Sequence, residues 1–288
     1  MTTHKLKNWA VFILLSLIWG SSFILMKIGS ENLTGLQIGS LRIFSAGIVF
    51  VPFALFHIAK VPKQKIPLII TSGLLGNFFP AFLFAIAIEH IESSMEGILN
   101  SLTPLFVIII SVLFFKARMP NRKIAGVLIG FIGLLILSLS KGSMSGSHLG
   151  YTLLILLATF FYGLNVNIVG HYLKEVDPLK MATISLAILS IPAGLIAWQQ
   201  NTFAIMQYDE SAMWSVAASI LLGVVGSAIA TVLFYGLIKN AGGLFASLVT
   251  YAIPIVSILW GILDHENVTL IQVGCLGIIL GGVYLANK

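Results

Sequence analysis

Almost the whole chain consists of apolar segments long enough to cross a bilayer, and the links between them are too short to hold a soluble domain. The runs cover residues 9–28, 36–58, 66–88, 96–115, 124–140, 149–170, 180–199, 213–238, 243–263 and 270–286. A helical span needs about 20 mostly apolar residues. Charged residues make up 9% of the sequence and apolar residues 58%, with a mean hydropathy of +1.03; soluble domains carry roughly 25% charge. Backbone groups in lipid must be satisfied within their own segment, so these runs are expected to be helices. The period-two alternation of a membrane barrel strand is absent. The expected fold class is an all-α integral membrane protein with ten transmembrane helices.

The segments divide into two sets of five, residues 1–140 and 149–288, joined by the small, polar stretch 141–148. Leu14-Leu15-Ser16 through Trp19-Gly20-Ser21-Ser22 aligns with Leu157-Ala158-Thr159 through Tyr162-Gly163-Leu164-Asn165. Thr34-Gly35-Leu36-Gln37 aligns with Asp177-Pro178-Leu179-Lys180, and Pro104 with Pro254. An odd number of crossings per repeat turns the second copy upside down, giving two inverted five-helix repeats. Charge alternates in step. One set of loops holds Lys5, Lys7, Lys60, Lys63, Lys65, Lys116, Arg118, Arg122, Lys123, Lys174, Lys180, Lys239 and Lys288, and the other holds only Lys141. By the positive-inside rule both termini are cytoplasmic. The net charge of +6 therefore sets orientation and implies no nucleic-acid partner. The lone Cys275 can form neither an intramolecular disulfide nor a metal cluster. Lys5 and Lys7 precede a run too long for a cleaved signal, so an uncleaved first span is expected. Gly126/Gly130 and Gly277/Gly281 have the GxxxG spacing that lets helices approach closely; at equivalent places in spans five and ten they suggest a structural pair, either closing the bundle within one chain or meeting a second subunit.

Ile18-Trp19-Gly20-Ser21-Ser22-Phe23 resembles the first-span signature of the drug/metabolite transporter superfamily, EamA type. Leu41-Arg42-Ile43-Phe44-Ser45-Ala46 resembles its second-span element, and Leu99-Asn100-Ser101-Leu102-Thr103-Pro104-Leu105-Phe106 its fourth span. Gly226-Ser227-Ala228-Ile229-Ala230, Phe234-Tyr235 and Ala246 through Pro254 are similar to its eighth and ninth spans. The resemblance implies a ten-helix bundle with a central cavity, spans 5 and 10 at the periphery, and transport of small metabolites, often amino acids, commonly outward. It also implies a bacterial inner-membrane location. The family often has Gly-Glu after spans four and nine. Glu266 fits the second place, but Phe115-Lys116-Ala117-Arg118 lacks the first.

Charges inside a span are expensive and default to a functional reading. Lys27, Arg42 and Glu96 are the candidates for a gate or coupling site. Arg42 lies deep enough to want a partner, and Glu96 is the expected one; the pair reads as an outer gate or a clamp for a zwitterion, Arg42 holding its carboxylate and Glu96 its ammonium, and the plainer alternative is a static ion pair, with Lys27 snorkelling to the interface. For substrate binding the candidates are Trp19, Ser22, Asn77, Asn100, Thr103, Tyr162, Asn165, Tyr235 and Tyr251, polar and aromatic residues near the midplane. For the hydroxyl residues, interhelical hydrogen bonding worth about 0.6 kcal/mol is the competing role. Pro104 and Pro254 are the expected hinges, since a proline inside a helix removes a hydrogen bond and kinks it. No HExxH pair, GxSxG or phosphate loop appears, so an enzyme is not expected, nor a metal or cofactor. The expected function is a secondary transporter of amino acids or related metabolites, exporting or exchanging by alternating access. The partners are a small-molecule substrate and the lipid bilayer, with the chain a monomer or weak homodimer. A membrane-embedded enzyme and a non-transporting scaffold or receptor are the alternatives.

Overall fold

A computed structural model describes residues 3–117, 120–140, 146–208, 210–266 and 268–287. Among the described residues there is no strand, and eight helices are long and apolar enough to cross a membrane. They are α1 (Thr3–Ser30), α2 (Gly35–Ile58), α3 (Lys63–Ala87), α4 (Ser93–Phe115), α6 (Gly146–Tyr172), α7 (Pro178–Gln199), α8 (Met213–Ala241) and α9 (Gly243–Leu263). Two further helices, α5 (Asn121–Ser140) and α10 (Leu270–Asn287), pack on each other. A short helix, Thr202–Tyr208, follows α7. Helix α1 starts before its apolar run because the polar turn carrying Lys5 and Lys7 is helical too. The expected link at 141–148 lies, up to residue 145, outside the described residues.

Helix starts are written locally. Thr34 and Gln37 form a reciprocal capping box on α2, the Gln37 side chain accepting from Thr34 N at 2.9 Å. Asp177 accepts from Leu179 N and Lys180 N at the start of α7, with Pro178 in the first turn. A side-chain oxygen there satisfies amide hydrogens that have no partner inside the helix. Helix α4 stops where Lys116 turns left-handed (φ 50°).

Close packing rests on small residues. A Cβ on Gly47 would collide with α7 at Leu186 and Ser190, and one on Gly73 with Ser185. In the α5–α10 contact Gly126 and Gly130 lie against Gly282, whose Cβ would meet the Gly126 carbonyl and Gly130. Gly277 and Gly281 face open space, so the second GxxxG is not part of this contact. Outward, Leu55, Phe56, Leu113, Phe114 and Ile191 are exposed, as lipid-facing residues should be.

Four helices are locally discontinuous. Leu74–Phe78 in α3 and Leu222–Ile229 in α8 wind as wider π turns. Helix α4 breaks at Ser101 and Leu102, and α9 at Leu248, where amides reach back three residues rather than four. Pro104 follows its break in the first turn of the next segment, where a missing N–H is harmless. Pro254 lies inside the segment Val249–Leu263, beyond the break at Leu248.

Candidate functional site

The discontinuities face one cavity. It is bordered by Trp19, Ser22, Phe23 and Met26 of α1, Arg42 of α2, Gly76, Asn77 and Phe84 of α3, and Asn100 and Thr103 of α4. Tyr162 and Asn165 of α6, Gly226, Thr231, Phe234 and Tyr235 of α8, and Thr250 of α9 complete the wall. Irregular backbone at membrane depth is tolerated where it is buried in protein or lines a cavity.

The π turn of α8 has a direct use. Ala230 N–H reaches the Val225 and Ser227 carbonyls, passing over Gly226. The Gly226 carbonyl accepts the Trp19 indole N–H at 2.9 Å. Trp19 also meets Phe234 edge-on, ring centres 5.0 Å apart. Ser72 Oγ donates to Asn165 Oδ1 at 2.6 Å and lies 2.9 Å from the Tyr235 hydroxyl. Thr231 Oγ1 donates to Asn77 Oδ1 at 2.8 Å. Phe23, Phe84 and Tyr162 form a chain of ring contacts on another wall. Gly76 and Gly223 make this possible: a Cβ on Gly76 would strike the Asn165 amide, and one on Gly223 the Arg42 carbonyl and Ser45 Oγ.

The expected Arg42–Glu96 ion pair does not form. Arg42 is buried and points its Nε–H at Ser227 Oγ, 2.8 Å away, within electrostatic range of Glu96 and Tyr162 but making no ion pair. Glu96 is fully buried, does not border the cavity, and among the described residues neither carboxyl oxygen has a hydrogen-bond partner. Lys27 neither borders the cavity nor snorkels alone: its ammonium pairs with Asp264 and, at 3.0 Å, with Glu266 Oε1. Glu266 in turn accepts from Ser93 N (3.2 Å), Ser93 Oγ (2.8 Å) and Ser94 N (3.2 Å), the first turn of α4. This is the acid that the Gly-Glu pattern singled out, and it joins α1, α4 and the α9–α10 link at the lysine-poor end of the bundle.

Of the candidate binding residues, Trp19, Ser22, Asn77, Asn100, Thr103, Tyr162, Asn165 and Tyr235 border the cavity. Tyr251 is buried in the core, and its neighbour Thr250 takes the place on the wall. Phe23, Met26, Phe84 and Phe234 were not singled out as wall residues. Helical spacing from Trp19 and Ser22 would have reached Phe23 and Met26. Pro104 and Pro254 are buried away from the wall. Among the described residues no group of three or more His, Cys, Asp or Glu side chains is placed to hold a metal.

The model of the EamA-like transporter family matches the chain twice, over residues 7–139 and 149–288. An uncharacterized transporter of Archaeoglobus fulgidus is 24% identical over 284 residues, covering 98% of this chain and 99% of its own. The uncharacterized inner membrane transporter YedA of Escherichia coli (strain K12) is 28% identical, covering 95% of this chain and 88% of its own. A protein of Salmonella typhimurium described as a probable amino-acid metabolite efflux pump is 23% identical, covering 97% and 94%. One solved crystal structure shares the fold with a TM-score of 0.67 at 16% identity, over 97% of this chain and 96% of that one.

Proposed function

The chain belongs to the EamA-like transporter family, and on that premise we propose that it is a secondary transporter moving small metabolites, amino acids or related compounds, by alternating access. It is a multi-pass membrane transporter; the cargo, the direction and the mechanism are the proposal. The observation that carries it is the mid-bundle cavity, walled by hydrogen-bonding and aromatic side chains from both halves of the chain. The name of the Salmonella relative supports export of an amino-acid metabolite.

The proposed architecture is ten crossings in two inverted five-helix repeats, 1–140 and 149–288, with both termini and the lysine-rich loops in the cytoplasm. The two family matches, one per half, support it. The chain acts as a monomer or weak homodimer. Matched discontinuities in α3 and α8, and in α4 and α9, supply the bending points, with Pro104 and Pro254 as hinges just beyond the latter two. The Lys27–Asp264–Glu266 cluster gates the lysine-poor end.

Glu96 is assigned the coupling role, because a fully buried acid without a hydrogen-bond partner is costly and has no structural use in this state. The test is flux of a metabolite panel into proteoliposomes, with and without a pH gradient. Amino-acid flux accelerated by the gradient in the wild type, and insensitive to it in Glu96→Gln, is the expected result. Coupling that survives in Glu96→Gln rules out the assignment, and no flux of any panel member rules out amino acids and related metabolites as the cargo.

A further inference from the structure

The cavity wall carries donors that meet no acceptor among the described residues, and one of them bears a full charge. Arg42 is pinned by a single edge: Nε goes to Ser227 Oγ, and its two terminal nitrogens meet no acceptor among the described residues. Its backbone is fixed against α8 at Gly223, where no Cβ would fit. Asn77 has its oxygen occupied by Thr231, and among the described residues its amide NH2 meets no acceptor, nor do the Asn100 NH2 and the Tyr162 hydroxyl have a partner. Among the described residues no Asp or Glu borders the cavity, and Glu96, the nearest acid by its electrostatic reach, is enclosed behind the wall.

We propose that Arg42 anchors an anion subsite, and that the compound carried is a small organic carboxylate with an apolar or aromatic body. The proposal rests on the transporter reading for the purpose of the site, though not for its chemistry. A guanidinium presents parallel N–H groups that match a carboxylate's two oxygens, and charge-assisted pairs of this kind are about twice as strong as neutral ones. Burial strengthens the attraction, because bulk water does not screen it. The Asn77 and Asn100 amides and the Tyr162 hydroxyl add neutral donors around the same space. The ring chain Phe23–Phe84–Tyr162 and the Trp19–Phe234 pair receive the rest of the molecule. Nothing on the wall offers a carboxylate to an ammonium group. An α-amino group is therefore not required for binding, and a plain carboxylate binds at least as well as the matching amino acid.

Four probes of one skeleton separate the possibilities: phenylacetate, its neutral amide phenylacetamide, the cation phenethylamine, and the zwitterion phenylalanine. Binding is read by calorimetry and thermal shift on the full chain in nanodiscs. Phenylacetate is expected to bind at least about tenfold more tightly than phenylacetamide, the loss of a charged hydrogen bond being worth that much, and phenethylamine not at all. In Arg42→Gln the carboxylate preference disappears while phenylacetamide still binds, which shows the variant is folded. If that variant does not fold, the wild-type series decides alone. Equal binding of amide and carboxylate, a preference for the amine or the zwitterion, or binding of none of the four overturns the proposal. Counterflow in proteoliposomes is measured separately. Flux of other metabolites without a carboxylate preference removes the anion subsite and leaves transport standing. Carboxylate binding without flux does the reverse.

Discussion

Arg42 and Glu96 show what a residue's position along a membrane helix can and cannot reveal. Depth follows from counting at about 1.5 Å per residue, and the depth of Arg42 together with the opposite charge of Glu96 made the two look like partners. Azimuth does not follow: Arg42 turns to Ser227, and Glu96 is left with both oxygens unpartnered. Replacing a buried carboxyl whose oxygens have no hydrogen-bond partner among the described residues by an uncharged group of the same shape is neutral or stabilising. Glu96→Gln is thus expected to hold or raise the unfolding temperature in detergent, whereas Glu96→Ala, which opens a void, costs about 1–3 kcal/mol. A clear loss of stability in Glu96→Gln means that the carboxylate has a partner in the folded protein. The same limit explains Tyr251 and Thr250. Adjacent helical residues point about 100° apart, and the break at Leu248 resets the phase of everything after it. Trp19, Ser22, Asn100 and Thr103 border the cavity, a position the sequence could indicate because polar or amphipathic groups in hydrocarbon are costly unless they face protein.

Among the elements, the long apolar runs and their starts are legible, since hydropathy and caps such as Thr34–Gln37 and Asp177 are local. The π turns in α3 and α8 are not. They follow from tertiary contacts, such as the Trp19 indole on the Gly226 carbonyl, that no short window contains. Prolines mark the breaks in α4 and α9 only approximately, because Pro104 sits in a first turn and Pro254 in a helix interior. Glycines now separate into two kinds that the sequence presents alike. Gly223 touches the backbone of α2, whereas a Cβ on Gly236 of the same helix would meet nothing within 4 Å. Gly223→Ala should push α2 from α8 and cost roughly 1–3 kcal/mol as overpacking, displacing Arg42 with it. Gly236→Ala should be neutral or stabilise by about 0.5–1 kcal/mol through helix propensity. Thermal unfolding of both variants in one detergent checks the contrast, and equal effects would show that this face of α8 is not packed against α2.

For the whole molecule, the departure from repeat symmetry at Glu266 sets a bias. The first turn of α4 receives a carboxylate, held also by Lys27. The first turn of α9, its counterpart, follows Gly242 at φ +89° and has no side-chain cap. A carboxylate at a helix N-terminus, paired with a cation, stabilises by roughly 1 kcal/mol. Opening the lysine-poor end therefore costs an interaction that opening the other end does not. Burial alone would raise the Glu266 carboxyl, but hydrogen bonds from Ser94, Ser93 and Lys27, with the Lys27 charge, hold it below the usual carboxylate range. With the folded-state value depressed, the contribution is fully present above the unfolded value. It is lost only as pH falls through the lower, folded value. The closure should accordingly be flat from neutral to mildly acid pH and loosen only in strong acid. A cysteine placed at Phe23 on the cavity wall, in a chain with Cys275 replaced by Ser, reports access to impermeant thiol reagents added from each side of oriented vesicles. Glu266→Gln should raise labelling from the lysine-poor side about fivefold at neutral pH, the factor that roughly 1 kcal/mol gives, and leave the lysine-rich side no more accessible than before. Unchanged labelling from the lysine-poor side would mean that the cluster binds Lys27 and α4 without holding that end shut.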